Sequence, residues 1–288
     1  MTITRSLLAY SSLFILIGLN SCNLQDEKIP SYLYIDKFTI SAKQGEGSAH
    51  QNITDGWIYV NGNYYGGYEL PVWIPLLEEG NSEVFILPGF RKDGRITNSF
   101  KYTFLNSYTT QLTLTPRITD TIRPMTSYQD GLIFSAIENF DHSNHFDIDR
   151  DNDADTKLTT TSSTEAFEGS GSGLIELTSA HPYISAENIN DLIIPQSGDP
   201  IIIELSFKSD IPFSIGLRGY KEFREEHVLI NGGVLPKKEW TKIYFDFRDI
   251  INNSNSDYYR LAISANFVAD STPAIQRILI DNIKVIHR

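Results

Sequence analysis

The sequence predicts an all-β protein built from two β-sandwich domains, and three observations support that fold class. From Tyr32 onward, apolar residues recur with a period of two, which is typical of strands with one buried face. Gly, Pro, Asn and Asp interrupt this pattern about every 8 to 12 residues, as turns between short strands do. No stretch keeps the 3.6-residue period of a helix, and 288 residues correspond to roughly two domains of about 150 residues each.

Residues 1–21 have the parts of a secretory signal peptide. Arg5 precedes an apolar run from Leu7 to Leu19, and small or polar residues follow up to Cys22. This run of 13 residues is shorter than the roughly 20 that a helix needs to cross a bilayer. We therefore expect residues 1–21 to be removed during export.

The end of this segment, Leu19-Asn20-Ser21-Cys22, resembles the lipobox of bacterial lipoproteins. The resemblance implies cleavage before Cys22, acylation of that cysteine, and a lipidated tether over residues 22–30 that holds the protein on a membrane. Asp26-Glu27 in the tether resembles an acidic export signal of Gram-negative lipoproteins, which implies the outer membrane and its cell-surface leaflet. An ordinary cleaved signal peptide with an incidental cysteine is the alternative.

Residues 31–116 are predicted to form a small β-sandwich. Its strands are expected at 32–41, 56–60, 64–70, 82–87, 99–104 and 109–115. Asn61-Gly62 lies between two aromatic-rich strands and predicts a hairpin, because both central residues of a type I′ turn need positive φ.

The stretch from Trp57 to Pro71 resembles PEGA-type and carboxypeptidase-regulatory-like modules, small immunoglobulin-like sandwiches of bacterial envelope proteins. The resemblance implies a fold and no catalysis. Tyr64, Tyr65 and Tyr68 cluster in the hairpin and are predicted to contact a protein partner, since Tyr is enriched at interfaces. A purely structural role for the three tyrosines is the alternative.

Residues 117–131 lose the alternating pattern and are predicted to be an extended linker, since Pro and Thr favour such a conformation. Residues 132–288 are then predicted to form a second sandwich with jelly-roll topology. Its strands are expected at 155–161, 172–178, 201–207, 212–219, 240–247, 258–268 and 277–286.

The second domain resembles the galactose-binding-like jelly rolls, which include many carbohydrate-binding modules. The resemblance rests on Asn139-Phe140-Asp141, on Ala166-Phe167-Glu168-Gly169, on the segment 240–247 and on the closing strand 278–285. It implies polysaccharide as a candidate ligand. Four aromatic residues flank polar loops of this domain, where exposed rings can dock a sugar, although most aromatic residues are expected in the core: Tyr220, Phe223, Tyr258 and Tyr259.

Two candidate calcium sites arise in the second domain. The first is an acidic loop in which aspartates alternate, at Asp147, Asp149, Asp151, Asp153 and Asp155. It is no EF-hand, because neither the Gly at position 6 nor the Glu at position 12 is present, and a solvated loop is the alternative. The jelly-roll resemblance implies the second, a structural Ca2+ held by Asp141, Glu168 and Asp281, with a simple hydrogen-bonded turn at Asp281-Asn282 as the alternative.

Composition and missing motifs exclude several classes of function. With 36 acidic against 24 basic residues, a net charge of -12 and no basic cluster, nucleic acid is an unsuitable partner. The single cysteine excludes an intrachain disulfide. Because no zinc-protease, nucleophile-elbow, phosphate-loop or dinucleotide motif is present, we assign no catalytic residue, and no cofactor is required apart from the candidate structural calcium.

These expectations favour a non-enzymatic, lipid-anchored outer-membrane lipoprotein. Its predicted role is that of an accessory or scaffold subunit in an outer-membrane protein complex, with partners bound through sandwich faces and edge strands. The alternative is a surface lipoprotein that binds glycans through the jelly roll. A hydrolase with a divergent site is a third, less favoured interpretation.

Overall fold

The structure, a computed structural model, describes residues 27–94, 99–222, 224–230, 233–269 and 273–288, with 224–230 described by its backbone only. The described residues contain 21 strands and one five-residue helix, α1 (Arg248–Asn252). In these parts of the chain no helix has the length and hydropathy needed to cross a membrane. The all-β prediction, with two sandwiches of which the second is a jelly roll, is confirmed.

The first sandwich contains ten strands. They are β1 (Ser31–Ile35), β2 (Thr39–Ser41), β3 (Asp55–Val60), β4 (Asn63–Glu69), β5 (Val72–Leu76), β6 (Gly80–Arg91), β7 (Ser99–Lys101), β8 (Tyr108–Leu114), β9 (Thr119–Ile122) and β10 (Met125–Ser127). One sheet has the order β4-β3-β6-β7, with β8 also paired to β6, while β5-β1-β9 and β10-β2 form two smaller sheets. Alternate residues such as Leu33, Ile58 and Ile86 are fully buried between the layers. Each such side chain contributes about 1.5–3 kcal/mol of hydrophobic stabilisation.

The Asn61-Gly62 hairpin is confirmed. Val60 pairs with Asn63, and the two turn residues have φ of 49° and 78°. Strand β5, by contrast, was missed because Pro75 interrupts the pattern. It lies at a sheet edge, where the missing N–H of a proline costs no ladder hydrogen bond.

Residues 117–131, predicted to be a linker, instead lie within the first sandwich. Strand β9 pairs parallel with β1, β10 pairs parallel with β2, and Tyr128 is a buried member of the first core. The sequence pattern failed here because two strands of three or four residues, separated by Pro124, are too short to show an alternation.

The jelly roll contains the remaining strands. They are β11 (Ile133–Glu138), β12 (Ile148–Asp149), β13 (Thr159–Thr160), β14 (Gly173–Leu177), β15 (Tyr183–Glu187), β16 (Ile202–Ser209), β17 (Phe213–Lys221), β18 (Arg224–Ile230), β19 (Lys237–Asp246), β20 (Tyr258–Asn266) and β21 (Gln276–His287).

The strands of the jelly roll form two facing sheets, and most consecutive strands lie in different sheets. One sheet has the order β13-β14-β21-β16-β19, with β11 also paired to β21, and the other has the order β12-β15-β20-β17-β18. Their inner faces enclose one apolar core that includes Leu205, Ile263 and Ile280. We call the first the junction sheet, because it packs against the first sandwich, and the second the distal sheet.

The two sandwiches share a core at their junction. Ile202, Tyr244 and Ile286 project from the outer face of the junction sheet into the apolar cluster of the first sandwich. The ring of Tyr244 lies 5.3 Å from that of Phe90, and its hydroxyl accepts a hydrogen bond of 2.7 Å from the backbone N–H of Asn52. The domains are therefore packed as one body.

A buried ion network reinforces this junction. Glu204, Lys242 and Lys284 are each no more than 2% exposed, and the Lys242 Nζ lies 3.2 Å from a carboxylate oxygen of Glu204. Tyr102 and Tyr128 of the first sandwich donate hydrogen bonds to the same carboxylate. Burial would raise the pKa of Glu204, but the two ammonium groups lower it, so Glu204 is a carboxylate at neutral pH.

The Lys284 ammonium gives the junction a pH dependence. Burial lowers the pKa of Lys284 from 10.5 to about 8, although its Nζ donates to the Ser48 carbonyl at 2.7 Å. Between these two pKa values the folded protein binds fewer protons than the unfolded chain, so stability rises with pH. We expect the wild-type protein to gain stability relative to Lys284→Met from pH 8 to pH 10, at up to about 1.4 kcal/mol per pH unit. Urea unfolding of both proteins across this range measures the difference, and a constant difference would contradict the assignment.

Candidate functional site

The outer face of the distal sheet is the candidate site. Inner residues such as Ile215, Leu217 and Ile263 point to the core, so the residues that alternate with them in β15, β17 and β20 point away from it. Neither the junction sheet nor the first sandwich packs on this side, yet its residues are polar, charged or aromatic. The set comprises Ser185, Glu187, Ser214, Arg218, Tyr220, Tyr258, Arg260 and Ser264, and we call it the network face.

Glu187 is the centre of the network face. Its carboxylate is fully buried and lies 2.9 Å from the Nη2 of Arg150, and it also forms an ion pair with Arg218. The Tyr220 hydroxyl donates to both carboxylate oxygens, at 2.9 and 2.7 Å. Burial and this hydrogen bond to the carboxylate raise the pKa of Tyr220 to about 12, so its hydroxyl stays protonated.

A stacked pair of rings extends the network toward solvent. The rings of Tyr220 and Tyr258 are nearly parallel, with 4° between their planes and 5.0 Å between their centroids. The guanidinium of Arg260 lies 5.0 Å from the centroid of the Tyr220 ring, and its Nε donates to Asp191 at 2.6 Å. Each ring is thus held in place before any ligand arrives, by stacking and by a cation–π contact.

The acidic loop positions Arg150 over this face. Asp149 accepts hydrogen bonds from the backbone N–H groups of Asp151 and Asn152, and Asp151 accepts one from the backbone N–H of Ser185 at 2.6 Å. The loop is thereby fixed against β15, next to Glu187. Its aspartates therefore have a structural use as acceptors of backbone hydrogen bonds, in addition to any cation they bind.

The outer end of the same loop meets His181. Asp153 Oδ2 lies 2.8 Å from His181 Nδ1, and Asp155 Oδ2 lies 3.8 Å from Nε2. Among the described residues, only Asp153, Asp155 and His181 bring three potential metal-ligand atoms within 4.8 Å of one another. Asp147 is exposed and is not part of this group. Calcium binding by the loop stays a prediction.

The three residues of the second calcium prediction are only partly brought together. Asp281 is buried and accepts a hydrogen bond from the Ser172 hydroxyl at 2.7 Å, while the Asn282 amide donates to Glu168 at 2.9 Å. Asp141 instead accepts the backbone N–H of Ser170 in the neighbouring turn. Burial raises the pKa of Asp281 to about 6. This calcium site also stays a prediction.

The predicted partner-binding tyrosines point in different directions. Tyr64 is 53% exposed, and its ring lies 6.0 Å from that of Trp57 and 5.1 Å from that of Tyr59 on the outer face of the first sandwich. Tyr65 and Tyr68 pack against the first core, and the Tyr65 hydroxyl donates to Glu78 at 3.0 Å. Only Tyr64 is therefore placed to contact a partner directly, and that role stays a prediction.

Two of the residues singled out from the sequence lie outside the described parts of the chain: Cys22, with the signal peptide and most of the tether, and Phe223. The sequence did not indicate Glu187, Arg218 or Arg260. Glu187 and Arg218 are charged residues at outward-facing positions of their strands. Charged residues at such positions are ordinarily predicted to be exposed to solvent. Only the register shows that they face one another.

Comparisons with known proteins give structural likenesses alone. No family model and no curated protein matches the sequence. A solved structure from a study of carbohydrate-binding modules of the β-sandwich superfamily aligns over 90% of this chain and 99% of its own, at 15% identity and a TM-score of 0.39. The family 30 and family 22 carbohydrate-binding modules of Clostridium thermocellum align with 55% and 53% of this chain and 94% and 91% of their own. Their identities are 17% and 14%, with TM-scores of 0.36 and 0.35, values that assign no ligand.

Proposed function

We propose that this protein binds glycans, without catalysis, through the network face of its jelly roll. The observation that carries the proposal is the mutual support among Glu187, Arg150, Arg218 and Tyr220 on the outer face of the distal sheet. This buried network holds the partly exposed side chains of Tyr258 and Arg260 at the solvent edge of the face. Side chains that are already held in place lose little conformational entropy when a ligand binds. This lowers the cost of binding, which matters most for a ligand that makes weak contacts. The glycan-binding alternative thus replaces the scaffold interpretation as the preferred function.

The chemistry of the network face suits a sugar. A pyranose has an apolar C–H face that packs on an aromatic ring, and a rim of hydroxyls that hydrogen-bond to charged planar groups. Tyr258 offers a partly exposed ring beside the guanidinium of Arg260. Ser214 and Ser264 lie opposite each other on the same face, so their hydroxyls are within the reach of the same ligand.

The same network argues against hydrolysis at this face. A retaining or inverting glycosidase needs one carboxyl group that can give up a proton and a second one across the scissile bond. Glu187 is paired with the guanidinium groups of Arg150 and Arg218 and accepts a hydrogen bond from Tyr220. Asp191 is paired with Arg260. Both carboxylates thus hold guanidinium groups in place in this arrangement.

Binding to a glycan library tests the proposal. Tyr258→Ala removes a ring at the solvent edge of the face, and we expect the affinity for any glycan bound by the full-length chain to fall about tenfold or more. Tyr32→Ala is the matched control, since Tyr32 is a partly exposed tyrosine on the first sandwich. Affinity electrophoresis in polysaccharide gels measures both variants. Equal affinities for wild type and Tyr258→Ala would refute the network face as the site.

We further propose that acylated Cys22 anchors the protein to the outer membrane, as the lipobox resemblance implies. Several acyl chains, at about 0.8 kcal/mol per buried methylene, hold a protein far more firmly than one chain does. We expect Cys22→Ala to move the protein from the membrane fraction to the soluble fraction, with Ser21→Ala as a control that keeps the cysteine. Retention of Cys22→Ala on membranes would contradict the anchor.

A further inference from the structure

A cavity lies on the side of the jelly roll opposite to the network face. The first sandwich covers only part of the junction sheet, and the uncovered part forms the floor of an open cavity of about 450 Å3. Trp240, Lys208 and Leu279 lie on adjacent strands of this floor, and the chain at 164–166 forms one wall. This volume is within the range of small-ligand sites.

The cavity carries an excess of positive charge in an acidic protein. Four cations and two anions line it, whereas the whole chain has a net charge of -12. The cations are Lys208, Lys237, Lys238 and Arg277, and the anions are Glu165 and Asp210.

Only some of these charges neutralise one another. The guanidinium of Arg277 makes two hydrogen bonds to Glu165, at 2.9 and 3.3 Å, and also pairs with Glu176 at 3.2 Å. Lys238 pairs with Asp210 at 3.0 Å. In the described part of the chain, the side chains of Lys208 and Lys237 make no hydrogen bond and no ion pair within 4.0 Å, although the Lys208 ammonium is near enough to Glu165 to help lower the pKa of that carboxyl. The positive charge of two lysines is thus available to a ligand at the cavity.

An aromatic wall accompanies this charge. The ring of Trp240 is held 4.8 Å from the ring of Phe167, with 33° between their planes, and it remains partly exposed to the cavity. Phe167 is in turn braced by His50 of the first sandwich, at 4.6 Å between the rings. A supported indole face is a platform for the C–H face of a sugar ring.

We propose that this cavity binds an anionic saccharide. The pyranose ring packs on Trp240, and its acidic group pairs with the ammonium groups of Lys208 and Lys237. A neutral sugar would leave both lysines unused, and an anion without a ring would leave Trp240 unused. The site lies on the junction sheet and shares no residue with the network face, so it is a second site whether or not the network face binds glycans.

Titration calorimetry of the full-length chain tests this proposal with a panel of tetrasaccharides. The panel comprises uronate tetrasaccharides with three different backbones and sulfated tetrasaccharides. It also includes the methyl esters of the uronates, which keep the sugar ring and lose the charge. We expect a uronate or a sulfated sugar to bind at least about tenfold more tightly than its uncharged form, with a preference that weakens at high salt. The uronate and sulfate arms tell which acidic group supplies the charge. Equal binding of charged and uncharged forms, or no binding across the panel, would overturn the proposal.

Variants assign the binding to this cavity. The double substitution Lys208→Ala with Lys237→Ala is expected to reduce the affinity for the charged sugar about 100-fold, at about tenfold for each charge-assisted contact. Lys37→Ala with Lys157→Ala removes the same charge from exposed lysines elsewhere, and is expected to have little effect.

Trp240→Ala is expected to weaken the binding of charged and uncharged sugars alike, with thermal unfolding as the check of folding. Tyr258→Ala should leave this binding intact, which separates it from the network face. Unchanged affinity in the double lysine variant would place the ligand elsewhere and refute the site.

Discussion

Replacing Glu204 by Gln is expected to lower the free energy of unfolding by about 3–5 kcal/mol. The carboxylate is 1% exposed and faces the ammonium groups of Lys242 and Lys284, which are fully buried. A neutral amide leaves these two cations in the junction without their counterion, and it also changes the hydrogen bonds from Tyr102 and Tyr128. Because these groups come from both sandwiches, the effect should appear in the unfolding of the whole protein.

Chemical denaturation of Glu204→Gln and of a surface control measures this effect. Glu176→Gln is the control, since Glu176 is half-exposed, lies on the same sheet and pairs with Arg277 at 3.2 Å. An exposed ion pair of this kind is worth about 1 kcal/mol or less. If both variants lost the same small amount, the buried network would contribute no more to stability than a surface pair.

Arg218→Met is expected to cost about 3 kcal/mol of stability and to abolish glycan binding at the network face. Met retains the apolar stem of arginine, so the change removes mainly the charge from beside the fully buried carboxylate of Glu187. Arg150 remains as a partner, but it approaches from the partly exposed acidic loop and cannot replace the second guanidinium. The ring of Tyr220 would then lose the fixed carboxylate that orients its hydroxyl.

Arg218→Lys separates the two effects. Lysine keeps the charge and loses the planar fork, so we expect most of the stability to return while binding stays impaired. Thermal unfolding and affinity electrophoresis on the same preparations give both quantities. Full glycan binding by Arg218→Met would show that the network does not organise the site.

Strands whose apolar residues alternate over five or more positions were predictable from the sequence. This applies to β3, β16 and β20, and to the hairpin at Asn61-Gly62. Several missed strands are short or contain proline, as in β5, β9 and β10, and others have few large apolar residues, as in β15. In β15, with the sequence Tyr-Ile-Ser-Ala-Glu, Ile184 is the only large aliphatic residue, so the alternation is too weak to mark the strand.

The candidate sites were far less predictable. Glu187 and Arg218 lie 31 positions apart in the chain, and they meet only because β15 and β17 are both neighbours of β20. Lys208 and Lys237 look like ordinary surface charges in the sequence. Lys237 lies on the same strand as Trp240, but Lys208 lies on β16 and comes near Trp240 only through the register of β16 with β19. The acidic loop was visible in the sequence, but its role in positioning Arg150 was not. That role depends on the hydrogen bond from the backbone N–H of Ser185 to Asp151, which the sequence does not show. Register, rather than composition, creates these sites.

The shared junction determines where the chain can be divided. A jelly roll excised at residue 132 would present Ile202, Tyr244 and Ile286 to water, and would lose Tyr102 and Tyr128 from the carboxylate of Glu204. The first sandwich alone would lose the apolar cover that Tyr244 supplies to Phe90. Each sandwich alone would expose apolar side chains at the junction. The two sandwiches together are therefore the smallest unit that evolution could move into another protein.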